Sequence, residues 1–181
     1  PATFLLLAVS RPDALLPTVR SRAVPLRLSG LAPAELRREL SQRVPAAGDW
    51  FERAIRVAGG SLGQALELCT ERAVQIHDLV LAMLADTERL RAVATARAVV
   101  AGAADRESAV RQARLFLRIL RAELRWQLRE RLESAAAPVY AQRAADRWTA
   151  LLDSTLTAEE DLGLGIPAEQ ALSGCLLQVQ L

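Results

Sequence analysis

The chain has 181 residues, 51% of them apolar and 24% charged, enough for one ordinary domain or two small ones with a real core. All 23 basic residues are arginine, so these residues hold no G-x-x-x-x-G-K-[ST] phosphate loop, and a formal charge of +2 is too small to imply nucleic-acid binding by itself. No apolar run approaches the ~20 residues of a membrane span, no signal peptide opens the chain, and Cys69 and Cys175 match no zinc or redox spacing; the expectation is a cytoplasmic protein with two buried thiols.

Thr3 to Val9 ("TFLLLAV") is a continuous apolar run without turn signals, which predicts a strand buried on both faces, as in a parallel sheet. Nothing else in the chain supplies neighbours for such a strand, so the sequence reads as the C-terminal part of something larger. Ser10-Arg11-Pro12-Asp13 then punctuates the chain, and Pro17 opens a helical turn running to about Arg22. "AVPLRL" (23–28) alternates, with Val24, Leu26 and Leu28 on one face. Pro25 cannot donate to a ladder, which makes this an edge strand. Ser29-Gly30 closes the segment.

From there every signal is helical. Leu36, Leu40 and Val44 recur at spacing four before Pro45. Asp49 is placed to cap a second helix carrying Trp50, Phe51, Ala54 and Val57, stopped by Gly59-Gly60. Ser61 to Gln64 reads as a capping box for a third. Longer helices follow at about 73–85, 87–101, Asp105 to Glu133 and 139–153, the last two separated by "ESAAAP". The stretch "TLTAEEDLGLGIP" reads as a loop, and a final helix starts at Ala168.

Chemistry-bearing constellations are sparse. His77 is the only histidine, which excludes a histidine-based triad or metal pair, and its apolar neighbours suit a packed or surface role. Glu159-Glu160-Asp161 reads as a solvated acidic run. Arg111, Arg114, Arg118, Arg121, Arg125 and Arg129 share one helix face, either salt-bridged and solvated or facing a subunit or a phosphate backbone. Glu123, Glu130 and Glu133 partly offset that stripe. The chain alone reads as non-catalytic.

The segment "TFLLLAVSRPDALLPTVRSRAVPLRL" resembles the clamp-loader branch of the AAA+ ATPases. In that family a buried strand ends at a polar sensor 1 position, here Ser10, and a proline-bounded stretch leads to a short helix ending in Ser-Arg-Cys. The motif here reads Ser21-Arg22-Ala23. The family's next landmark, the glycine-serine start of a lid helix, resembles "GGSLGQALEL" (59–68), and Gly63 stands where ATP-hydrolysing members carry the sensor 2 arginine.

The resemblance implies a mainly α architecture. Residues 1–30 would be the C-terminal end of an AAA+ α/β domain, 31–72 a three-helix lid, and 73–181 a helical collar that joins subunits into a ring. It further implies that this chain binds no cofactor. Arg22 would act as an arginine finger in trans on ATP held by a neighbouring subunit, Ser21 would shape the turn, and Arg20 would be a weaker candidate paired with a local acid. The implied partners are the gamma/tau and delta subunits of the clamp loader, and indirectly the sliding clamp and primer-template DNA, with no membrane. Two alternatives stay open at this point: an ATP-hydrolysing gamma/tau-type subunit, or a helical adaptor unrelated to replication.

Overall fold

Nine α-helices, one 3-10 turn and no strand are found among the residues that the computed structural model describes, which are 4–9, 12–45, 48–85, 89–134 and 138–178. The chain divides into two units, residues 1–30 and 31–181.

In the first unit a 3-10 turn, Pro12–Ala14, precedes the short helix α1, Pro17–Arg20. The two expected strands are not formed. Residues 4–9 and 24–30 are irregular, with no backbone hydrogen bond to a neighbouring strand. A strand exists only as half of a ladder, and alternation or apolarity alone cannot supply the other half. Their side chains are accordingly open to solvent: Leu6 is 97% exposed and Val24 95%, and Phe4, Leu5, Leu26 and Leu28 are nearly as bare. Ser10 and Arg11 lie outside the described residues.

The second unit is wholly helical: α2 (Pro33–Ser41), α3 (Gly48–Val57), α4 (Leu62–Leu68), α5 (Glu71–Ala85), α6 (Arg89–Val100), α7 (Arg106–Ser134), α8 (Pro138–Leu164) and α9 (Ala168–Gln178). Pro33 starts α2 at a position whose N–H is spare, and Glu35 accepts from the Ala32 N–H at 3.2 Å. The serine half of the expected box at α4 is present, Ser61 Oγ accepting from the Gln64 N–H at 3.4 Å. Asp49 lies inside α3, in its first turn, and not before it; its side chain is outside the described set. Asp105 and Ser108 cap α7 reciprocally: the Ser108 N–H donates to Asp105 at 2.7 Å, and the Asp105 N–H to Ser108 Oγ at 3.1 Å.

The predicted loop at 155–167 is a correction. Helix α8 runs on to Leu164, because Leu151, Ala158 and Leu162 continue its buried stripe. The hydroxyls that suggested a turn bond back to their own helix, Ser154 to the Leu151 carbonyl at 2.8 Å and Thr155 to that of Leu152 at 2.6 Å. Glu159-Glu160-Asp161 therefore lies on a helix. The chain turns at Gly165, whose φ of +91° suits glycine, and the Arg106 guanidinium donates to its carbonyl. The break at 135–137 lies outside the described residues.

Helix α7 is the axis of this unit. Leu115, Phe116, Leu117, Ile119 and Leu120 are all buried, so the helix is covered on most of its circumference there. It packs against α3, α5, α6, α8 and α9, while α9 lies chiefly on α6 and α8. Helices α2, α3 and α4 pack on one another and join the rest through α3 on α7 and α4 on α5. One apolar core runs from Leu36 and Leu40 of α2 through Phe116 and Leu120 to Leu172 and Leu176 of α9.

Candidate functional site

The segment from Pro12 to Arg22 is a stack of short-range devices. The Leu15 N–H closes the 3-10 turn on the Pro12 carbonyl at 3.2 Å. Pro17 then starts α1 with its fixed φ, and Ser21 ends it, its N–H donating to the Pro17 carbonyl at 2.9 Å. Ser21 Oγ donates to the Thr18 carbonyl at 3.3 Å, so the side chain closes the same turn as its backbone. The Arg22 N–H bonds to the Val19 carbonyl at 3.2 Å, which ties the α-carbon of Arg22 to the helix end.

The two arginines differ. Arg20 Nη1 reaches Asp13 Oδ1 at 3.2 Å, an exposed pair that does little for stability but occupies the guanidinium. The Arg22 side chain is exposed and meets no partner among the described residues. Of the three candidates, Ser21 is thus engaged in the turn, Arg20 with an acid, and Arg22 with nothing.

Gly63 lies in the first turn of α4 with ordinary helical φ, and a Cβ built there meets nothing within 4 Å. The fold leaves room for a side chain at that position.

Sequence reasoning missed a buried polar cluster in the second unit. His77 Nε2 lies 3.1 Å from Glu123 Oε1, with the two side chains 1% and 8% exposed. The Trp50 ring leans on the imidazole at 4.7 Å, and its indole N–H donates to the Leu68 carbonyl at 2.6 Å. The histidine's hydrogen bond, and then the nearby Arg56 and Arg53 guanidiniums, hold the Glu123 carboxyl below the usual carboxylate range against the opposing effect of burial. One signal was available: Glu123 stands beside Leu124 and one turn after Leu120, at an apolar-face position of α7.

The arginine stripe of α7 separates into two kinds. Arg111 pairs with Glu107 at 2.7 Å, Arg118 with Glu67 of α4 at 2.7 Å, and Arg121 with Glu159 and Thr155 of α8. Arg114, Arg125 and Arg129 have no carboxylate partner among the described residues. No group of three or more His, Cys, Asp and Glu side chains that could hold a metal ion is found among the described residues, and no helix there is long and apolar enough to cross a membrane. Both cysteines are free, and burial pushes each thiol above its ordinary range. The fold and site together define a mainly helical protein with a short arginine-bearing segment in its first unit. No protein-family model, curated protein or solved structure matches the chain.

Proposed function

We propose that the chain acts as a non-hydrolysing stator of the bacterial replicative clamp loader, in the manner of the delta prime subunit of DNA polymerase III. In this reading residues 1–30 are the end of an AAA+ α/β domain, 31–72 the lid, and 73–181 the collar that joins the gamma/tau and delta subunits in a cytoplasmic ring. The assembly loads the sliding clamp onto primed DNA. The chain itself carries out no chemistry and binds no nucleotide; its contribution is a cation offered to ATP in the neighbouring subunit.

The observation that carries the reading is the state of Ser21-Arg22. Its arginine stands just past a proline-started helix and its guanidinium meets no partner among the described residues, while the nearby Arg20 is held by Asp13. A guanidinium remains charged at all relevant pH and its planar fork matches phosphoryl oxygens. Charge spreads over those oxygens as the γ-phosphoryl group transfers, and a cation placed there from a neighbouring subunit speeds the step by about 10³–10⁵. Gly63 adds support, since no cation stands at the lid position that a hydrolysing subunit needs. The bare apolar runs at 4–9 and 24–28 are also those of strands that belong in a sheet.

The test is ATP turnover by the reconstituted loader carrying Arg22→Ala. The ring is expected to assemble normally while the neighbouring site loses its share of DNA-stimulated hydrolysis, and Arg20→Ala is expected to lose far less. Unchanged turnover with Arg22→Ala overturns the arginine-finger role.

A further inference from the structure

The unpaired end of the arginine stripe has a neighbour that the stripe alone did not reveal. Helix α3 crosses α7 there and lays the Arg56 guanidinium over the Trp126 ring, 4.2 Å from its centroid. Trp126 is nevertheless 42% exposed, a large share for an indole. Arg129 lies one turn beyond Trp126 and Arg125 one turn before Arg129, so the three side chains form one ridge. Arg53 sits one turn before Arg56 on α3.

The acids near this ridge offset it only in part. Glu123 is buried, hydrogen-bonded to His77 and close to Arg56 and Arg53, and Glu130 is the remaining exposed carboxylate of the described part of the ridge. Arg111, Arg118 and Arg121 of α7 are neutralised elsewhere, by Glu107, Glu67 and Glu159. Arg114 lies about 16 Å back along the axis. Among the described residues, two of the three α7 arginines without a carboxylate partner therefore lie at one end of the helix, beside a flat aromatic surface already stacked with a guanidinium.

We propose that Arg56, Trp126, Arg125 and Arg129 form a binding surface for single-stranded nucleic acid. Guanidiniums spaced one helical turn apart can follow successive phosphates, and the indole–guanidinium stack offers a flat face to a base. Acidic side chains would use the charges but bring no aromatic face to the ring, whereas every nucleotide carries both a phosphate and a planar base, which is why nucleic acid is the favoured occupant. Sequence preference is weak, because every base has a π-face and these side chains reach no fixed pattern of base edges.

The experiment uses the full chain and a fluorescein-labelled oligothymidine, read by anisotropy between about 50 and 200 mM salt, the range over which phosphate contacts weaken most visibly. Binding at low salt is expected, with quenching of tryptophan emission that Trp126→Phe removes. Arg125→Glu with Arg129→Glu, both exposed and unpaired, is expected to abolish most binding while leaving the circular dichroism unchanged. Milder Arg→Gln changes there should each lower the log–log salt slope by about 1. Trp126→Ala is expected to weaken binding about five- to hundredfold, the range seen for loss of one base stack. Arg22→Ala leaves this binding intact, so the surface and the arginine-finger role can fail separately. Absent binding at low salt, or binding that survives the double charge reversal, overturns the proposal. Displacement of the oligonucleotide by polyglutamate at equal charge, with no tryptophan quenching at any stage, overturns it in favour of an acidic protein partner.

Discussion

His77 and Glu123 show how much one buried pair can constrain at the level of the residue. Each is nearly inaccessible, and each has the other as its polar partner, so removing one strands the other in an apolar site. Glu123→Ala is expected to destabilise the fold by about 1–3 kcal/mol in urea denaturation. The pair also predicts a dependence on acidity. The Glu123 carboxyl is held below its ordinary value in the folded chain, so its contribution is fully present above the unfolded value, near 4.3. That contribution is lost as pH falls through the lower folded value. Glu123→Gln should flatten the fall of Tm below about pH 4.5 relative to the parent, and an identical acid profile in both proteins would remove the pair from the account. The sequence left the histidine either packed or on the surface, and the fold buries it. Its partner was not, because 46 residues separate them and only the packing of α5 on α7 brings them together.

At the level of the element, α6 depends on a residue outside it. Arg72, in the first turn of α5, places Nη2 within 3.1 Å of the carbonyls of Ala98, Val99 and Ala101 and of Gln112 Oε1, and its Nη1 reaches Gln75. These carbonyls end α6, where orphan acceptors and the negative end of the helix dipole gather. Arg72→Ala should cost about 2–3 kcal/mol, with hydrogen exchange rising first at the C-terminal turns of α6. Lysine, with no planar fork, should restore only part of it. Gly174 is the opposite case. It lies in α9 with open space before its α-carbon and no positive φ, so Gly174→Ala should raise stability by about 0.5–1 kcal/mol in thermal unfolding. Helices with clear apolar spacing and caps, such as α7, were legible almost to their ends. The continuation of α8 was not, because Ser154, Thr155 and Thr157 look like turn residues until their hydroxyls are seen bonded to their own helix.

At the level of the whole molecule, the boundary after Gly30 separates two kinds of chain. Every fully buried apolar side chain among the described residues lies at Leu36 or beyond, whereas the first unit holds only Leu15 and Val19 half-buried. A fragment of residues 31–181 should therefore keep the helical content and Tm of the full chain, measured by circular dichroism. It should also be less prone to aggregate, having lost the apolar run at 4–9. A large drop in Tm would mean that the first thirty residues stabilise the helical unit after all. The arginine segment was legible down to its proline and its turn because both are local. The two strands expected at 3–9 and 23–28 do not form among the described residues, since apolarity and alternation predict a face and say nothing of who pairs with it.

Gly63 has a consequence in the genetic code. Glycine and arginine codons can differ by a single base, and the open space before this α-carbon means that a side chain can start there without a clash at its Cβ. An arginine at the start of α4 is thus one base change away, and nothing lies within 4 Å of where its Cβ would stand. If glycine persists there across descendants of this gene, crowding at the Cβ position is not the reason.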